Sequence, residues 1–164
     1  MRFWILADTH LGHRLLETAE MGARPRDFEA LIVQNTAKVI RSEDVLIHLG
    51  DVSLYRHEKW HYRLLMACPC KRWLIRGNHD DKSVTWYMTV GWNFVGDEIK
   101  LKTFGKSILL SHERVCDRDD FDLNVHGHSH TKGLQDNYTH VLVKMEHEYR
   151  PFDLRTLVEE TCIL

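Results

Sequence analysis

Three short apolar runs, each ending in a cluster of polar and charged residues, limit the folds open to this chain more than any other feature. Residues 2–7 (RFWILA) lead into Asp8-Thr9-His10, residues 45–49 (VLIHL) into Gly50-Asp51, and residues 73–75 (WLI) into Arg76-Gly77-Asn78-His79-Asp80. Runs that stay apolar residue after residue suit strands covered on both faces, as in parallel sheets. Between the first two runs, Phe28, Leu31, Ile32, Asn35, Thr36, Val39 and Ile40 recur at helical spacing, after Pro25 and a candidate cap at Asp27. Asn35 and Thr36 interrupt that face and are expected to form a satisfied buried polar pair. Residues 56–67 and 82–90 carry weaker helical patterns. Repeated β-α-β order implies a parallel sheet with right-handed crossovers.

The second half changes character. Glu98–Thr103 and Lys106–Ser111 flank Phe104-Gly105 and read as a hairpin. Leu123–His126 and residues 140–147 follow as strands, with a short helix over residues 154–160. The expected architecture is two sheets packed face to face with helices outside, in a single domain over residues 1–164, since no linker or composition shift marks a second.

Composition narrows the partners. The net charge of −2 excludes the broad electrostatic footprint of a general nucleic-acid binder, leaving room only for a local basic groove. Cys68, Cys70, Cys116 and Cys162 form no zinc or disulfide framework and read as free thiols in a reducing compartment. The opening MRFWILAD reads as a strand and a polar turn, not a signal peptide, and no run reaches the roughly 18 apolar residues of a membrane span. Thr161-Cys162-Ile163-Leu164 does not fit a prenylation box. A cytoplasmic protein is expected.

Histidine is the outlier, at 12 residues. In open α/β sheets ligands bind at the carboxyl ends of strands. Asp8 and His10 follow the first run, Asp51 the second, Asn78 and His79 the third; Ser111-His112 ends a hairpin strand. The stretch NVHGHSH adds His126, His128 and His130 at alternating positions, so an extended backbone could aim two or three imidazoles one way. Two carboxylates, one amide oxygen and four imidazoles, with His79 to spare, are too many ligands for one divalent ion and about right for two sharing a carboxylate. The set contains no thiolate and suits Mn²⁺, Fe or Zn²⁺. Paired metals about 3.5–4 Å apart serve in-line displacement at phosphate esters.

DTH, GD, GNHD, SH and GHSH, in this order from residue 8 to residue 130, resemble the five signature blocks of the calcineurin-like metallophosphoesterases. DTHLGHR, RGNHD and NVHGHSH are similar to the small capless phosphoesterases of bacteria and phages. The resemblance implies the metallo-dependent phosphatase fold, a four-layer α/β-β/α sandwich of two mixed sheets flanked by helices, without a capping domain. It implies two divalent ions, Mn²⁺ first, with Fe, Ni²⁺ or Zn²⁺ as alternatives. Asp8, His10 and His130 would hold one, Asn78, His112 and His128 the other, and Asp51 would bridge them. A metal-bridging hydroxide would attack phosphorus while His79 protonates the leaving alkoxide, and Asp80 would orient that imidazole. GDVSL lacks the second acid of the frequent GDxxD block, a residue usually outside the metal ligands. Phosphodiesters are the expected substrates, cyclic nucleotides and nucleic-acid ends among them, because 164 residues leave little room for a cap that would select small monoesters. A phosphomonoesterase or a non-catalytic metal-binding scaffold, like the retromer subunit of this fold, is the alternative; the complete ligand set and His79 favour an enzyme.

Other features carry less. His126 is no ligand in the family pattern and is expected to support the metal ligands from behind or to be structural. His57-Glu58-Lys59-Trp60-His61 is a literal HExxH, but Arg56, Lys59 and the lack of a third ligand favour an amphipathic helix over a zinc protease. Arg14, Arg76 and Arg114 lie beside the blocks; substrate contact is assigned to Arg14, Asn78 and His79, with His13 a further candidate. Trp86, Tyr87, Trp92 and Phe94 read as packing.

Overall fold

The computed structural model describes residues 1–17, 24–129 and 139–161. Along the chain, β1 (Phe3–Leu6), α1 (Phe28–Val39), β2 (Val45–His48), α2 (His57–Met66), β3 (Lys71–Ile75), α3 (Val84–Val90) and β4 (Phe94–Gly96) alternate. The hairpin β5 (Glu98–Thr103) and β6 (Lys106–Ser111) comes next, then β7 (Leu123–His126), β8 (His140–Leu142), β9 (Phe152–Asp153) and α4 (Leu154–Thr161). One sheet has the order β4-β3-β2-β1-β9, parallel except for β9, and the other β5-β6-β7-β8, antiparallel only at the hairpin. Two mixed sheets flanked by helices are the architecture expected from the sequence.

The runs carry apolar side chains on both strand faces because both faces of the first sheet are covered. Trp4, Leu6, Leu46 and Leu74 point to the helices, against Phe28, Ile32, Leu64, Leu65, Tyr87 and Trp92. The residues between them, Ile5, Val45, Ile47 and Ile75, meet Ile108, Leu110, Leu123 and Val125 of the second sheet. Burying each such side chain contributes about 1.5–3 kcal/mol. The outer face of the second sheet is covered differently: Asn124 accepts from the Val115 N–H (2.9 Å) and donates to Leu109 O and Ser111 Oγ, fastening a loop there. Leu154 and Val158 of α4 join the core between the sheets.

Three expectations change in detail. The sequence did not flag the short strands β4 and β9. Residues 140–147 are strand only over His140–Leu142, and Met145–His147 form a 3-10 turn. There the chain leaves the core between the sheets, which holds Val143, for the core beneath the helices, which holds Met145. Asn35 and Thr36 are not a satisfied pair: the Asn35 amide donates to Tyr149 O, while the buried Thr36 hydroxyl has no partner among the described residues.

The HExxH stretch starts α2, and its histidines serve packing. His57 Nδ1 contacts Ser53 Oγ at 2.9 Å, whereas His61 is fully buried and accepts the Trp92 indole N–H at 2.9 Å. The rings of Trp86, Tyr87 and Trp92 surround it with centroids 5.4–5.9 Å away. Burial pushes its pKa from 6.5 down to about 3. The unfolded chain therefore takes up a proton below pH 6.5 that the folded chain refuses until about pH 3, and stability falls toward acid. The expected loss from this residue at pH 5 is about 2 kcal/mol. Denaturant titrations at pH 7 and pH 5 check this. His61→Gln, which retains an acceptor for Trp92, should lose about that much less than the parent; equal losses would reject the assignment.

Candidate metal centre

The polar clusters leave the strand ends side by side. Beyond β1 and β2, the N–H groups of Asp8, His10 and Leu11 donate to the carbonyls of Gly50, Asp51 and Val52 at 2.9–3.0 Å. This continued pairing brings the DTH and GD segments together. Asp8 (φ 53°), His10 (44°), Asp51 (57°) and His128 (67°) all adopt left-handed backbone, a conformation that costs a non-glycine residue about 1–3 kcal/mol and persists only where its surroundings enforce it. Arg24 enforces it at Asp8: its buried guanidinium donates to the carbonyls of Asp8 (2.8 Å) and Thr9 (2.7 Å) and to Glu146 (2.5 Å). His48, fully buried, braces Thr9 Oγ1 at 3.0 Å and accepts the Gly50 N–H at 3.2 Å. Neither Arg24 nor His48 stood out in sequence, since each acts across the fold on the backbone of other segments.

Three donor atoms converge from three loops. Asn78 Oδ1 lies 3.0 Å from both His112 Nε2 and His128 Nδ1, which are 3.1 Å apart. Asp51 Oδ2 lies 3.6 Å from His112 Nε2 and 3.6 Å from His10 Nε2, between the two histidines. His10 Nε2 is also 3.8 Å from Asp8 Oδ1. Donor atoms of Asp8, Asp51 and His112 all lie within 4.8 Å of one another. His130, the remaining expected ligand, falls outside the described residues.

This set fits a cation. His112 Nδ1 faces Leu49 O at 2.7 Å, a contact only an N–H can satisfy, so the ring turns its Nε2 lone pair inward. That lone pair meets the Asn78 carbonyl oxygen, another acceptor, and two acceptors at 3.0 Å repel unless positive charge lies between them. Neighbouring ligands around an octahedral ion with bonds of about 2.1 Å stand about 3.0 Å apart, matching these separations.

Close backbone approach makes room for the donors. A Cβ on Gly77 would stand 2.2 Å from Asp51 Oδ1, and one on Gly127 would stand 2.4 Å from Asp8 Oδ2. The His128 N–H, just beyond Gly127, donates to that same Asp8 oxygen at 2.8 Å.

Asp80 does not reach the His79 ring. Its carboxylate accepts the N–H groups of Asp51 (2.8 Å), Gly77 (2.8 Å) and Val52 (3.3 Å), tying the GD and GNHD loops together. Burial, aided by the charge of Asp51, pushes the Asp80 carboxyl up to about 6 against the pull of those donors. The His79 N–H donates to Asp51 Oδ1 (2.9 Å), and its partly exposed ring holds Nε2 4.0 Å from Asp51 Oδ2. His10, His13, Leu16, Asp51, Asn78, His79 and His128 line a cleft of about 200 Å³. Arg14 lies outside it, beside His13, and Arg76 pairs with Asp97 at 2.6 Å. His126, the last residue of β7, is buried, its Nδ1 against Gly127 O at 3.1 Å.

A family model described as calcineurin-like phosphoesterase matches residues 1–114, which contain Asp8, His10, Asp51, Asn78, His79 and His112. No curated protein matches the sequence. Among solved structures, a protein of unknown function from Aquifex aeolicus is similar at a TM-score of 0.78 and 25% identity, over 97% of this chain and 98% of that one. An archaeal phosphodiesterase aligns at a TM-score of 0.47 and 18% identity, over 87% of this chain and 82% of its own. The nuclease MPE of Pseudomonas putida aligns at 0.45 and 23%, over 79% and 62%.

Proposed function

Because the chain belongs to the calcineurin-like phosphoesterase family, we propose that it is a dinuclear metal-dependent phosphoesterase acting on phosphodiesters. The observation that carries this reading is the convergence of Asn78 Oδ1, His112 Nε2 and His128 Nδ1 to within 3.1 Å of one another, with Asp51 placed between them and His10. Asn78, His112 and His128 would hold one ion, Asp8, His10 and His130 the other, and Asp51 both. Oxygen and imidazole donors without thiolate suit Mn²⁺ first, with Fe, Ni²⁺ or Zn²⁺ as alternatives. Such ions supply Lewis acidity at the phosphoryl oxygens and at the attacking water.

The chain's own groups do the rest. His79, at the cleft and tied to Asp51 through its backbone N–H, gives its proton to the departing oxygen. Asp80 keeps the GD and GNHD loops in register, so His79 and Asp51 stay opposed. Asn78 and His79 flank the reacting phosphate, and Arg14 serves the substrate beyond His13. The His79 ring at the cleft is 44% exposed, which leaves room for diesters with large substituents. The free thiols Cys68, Cys70 and Cys116 fit a reducing cytoplasm, and among the described residues no helix is long and apolar enough to cross a membrane.

Hydrolysis of bis-p-nitrophenyl phosphate against p-nitrophenyl phosphate, by metal-stripped protein resupplied with Mn²⁺, Ni²⁺, Zn²⁺ or Mg²⁺, tests the reading. Metal-dependent turnover that favours the diester is expected. A monoester preference would overturn the substrate class alone. Thermal stabilisation by metal without turnover of either ester would make the centre a binding site.

A further inference from the structure

Beside the metal cleft lies a larger groove of about 730 Å³, between the 3-10 turn Arg14–Glu17, the start of α1 and the first turn of α2. Arg14, Arg26, Arg56 and Lys59 line it, all exposed. Among the described residues none of these four makes an ion pair or a side-chain hydrogen bond. Glu17 and Glu29 oppose them, which leaves two excess positive charges among the described residues lining the groove, in a chain whose net charge is −2. Unpaired cations gathered against the overall sign of the molecule mark a place built for an anion.

Two aromatic rings share the groove. Tyr55 is 59% exposed, and Trp60 lies under the Lys59 and Arg63 side chains with cations 5.1–5.2 Å from its ring centre. Cations interleaved with aromatic faces suit stacked bases on a charged backbone better than a bare polyphosphate. The groove adjoins the metal cleft at His13. His13 lines the cleft, its neighbours Gly12 and Arg14 line the groove, and its ring centre lies 6.0 Å from that of His10 and 6.4 Å from that of Tyr55.

We infer that this groove is the track for one strand of a single-stranded nucleic acid whose scissile phosphodiester sits at the metal centre. The inference rests on the phosphodiesterase reading and adds its substrate class. Arg14, Arg56 and Lys59 contact successive phosphates, and Tyr55 takes an unpaired base. A duplex cannot present that base face, so a strand or frayed end is required.

The test is binding of a fluorescent, phosphorothioate-linked oligothymidylate to the metal-loaded full chain, read by anisotropy across salt concentrations. This probe keeps one charge per linkage and resists cleavage. Joint Arg56→Ala and Lys59→Ala replacement is expected to weaken binding tenfold or more and to lower the salt slope by about 1.4, the share of two phosphate contacts on a single strand. Tyr55→Ala should weaken binding about tenfold with the slope unchanged. Melting temperatures equal to the parent's establish that the variants fold. Parent-like binding in both variants overturns the inference, as does displacement of the probe by inorganic polyphosphate at equal charge. Turnover of bis-p-nitrophenyl phosphate by the parent separates the two readings. Turnover with no groove dependence rejects the groove alone, whereas groove-dependent binding without any diester turnover rejects the diesterase reading and leaves the strand-binding surface.

Discussion

Asp51→Asn is expected to abolish the metal response of this protein without unfolding it. Asp51 Oδ2 stands 3.6 Å from both His10 Nε2 and His112 Nε2, so both halves of the proposed two-ion centre would lose charge together. Residues merely behind a metal ligand cost 10–100-fold in affinity when removed, so loss of a shared ligand should exceed about 100-fold. The amide keeps an oxygen for the His79 N–H, and its shape is that of the carboxylate. Without metal, Asp8, Asp51 and Asp80 are three buried acids close together, and neutralising one relieves repulsion. The chelator-treated variant should therefore melt at or above the temperature of the treated parent. The parent should gain about 2.7 kcal/mol at a metal concentration of 100 times Kd. The variant should gain almost nothing there and lose its esterase turnover. A parent-sized gain in the variant would remove Asp51 from the centre.

His79→Ala should have the opposite profile: metal binding and melting temperature kept, chemistry lost. The ring is 44% exposed, and the backbone N–H that serves Asp51 survives the substitution. A positioned general acid contributes about 10²–10⁴-fold, so turnover of an alkyl diester is expected to fall by that factor. A p-nitrophenolate departs without needing a proton, so the loss on bis-p-nitrophenyl phosphate should be far smaller. Equal losses on both esters would mean that the ring binds substrate instead of protonating it. Unchanged turnover on both would exclude it from the mechanism.

Much of the fold was legible because its signals are local. The runs before Asp8, Asp51 and Asn78 carry apolar residues on both faces because helices cover one face and the second sheet the other, and a residue's neighbours in sequence record that. The same runs placed the polar clusters at strand ends, and with them the residues whose donor atoms the fold gathers. Features that depend on distant segments left no such record. β4 and β9, of three and two residues, are too short to carry a period. The break within residues 140–147 arises where the chain changes cores, although its apolar pattern runs on.

At the site, sequence alone determined which residue types were available and in what order; tertiary structure decided what each one does. Asp80 sits next to His79 in the chain, yet three backbone N–H groups from two loops claim its carboxylate, because a buried acid goes where donors are otherwise unsatisfied. Arg24 and His48 lie outside every block, yet they hold the left-handed backbone that aims Asp8 toward the centre. The basic groove is likewise invisible in a net charge of −2, since Arg14, Arg26, Arg56 and Lys59 become neighbours only when the 3-10 turn, α1 and α2 meet. Charge and hydrogen bonding act through space, and only the folded chain sets those distances.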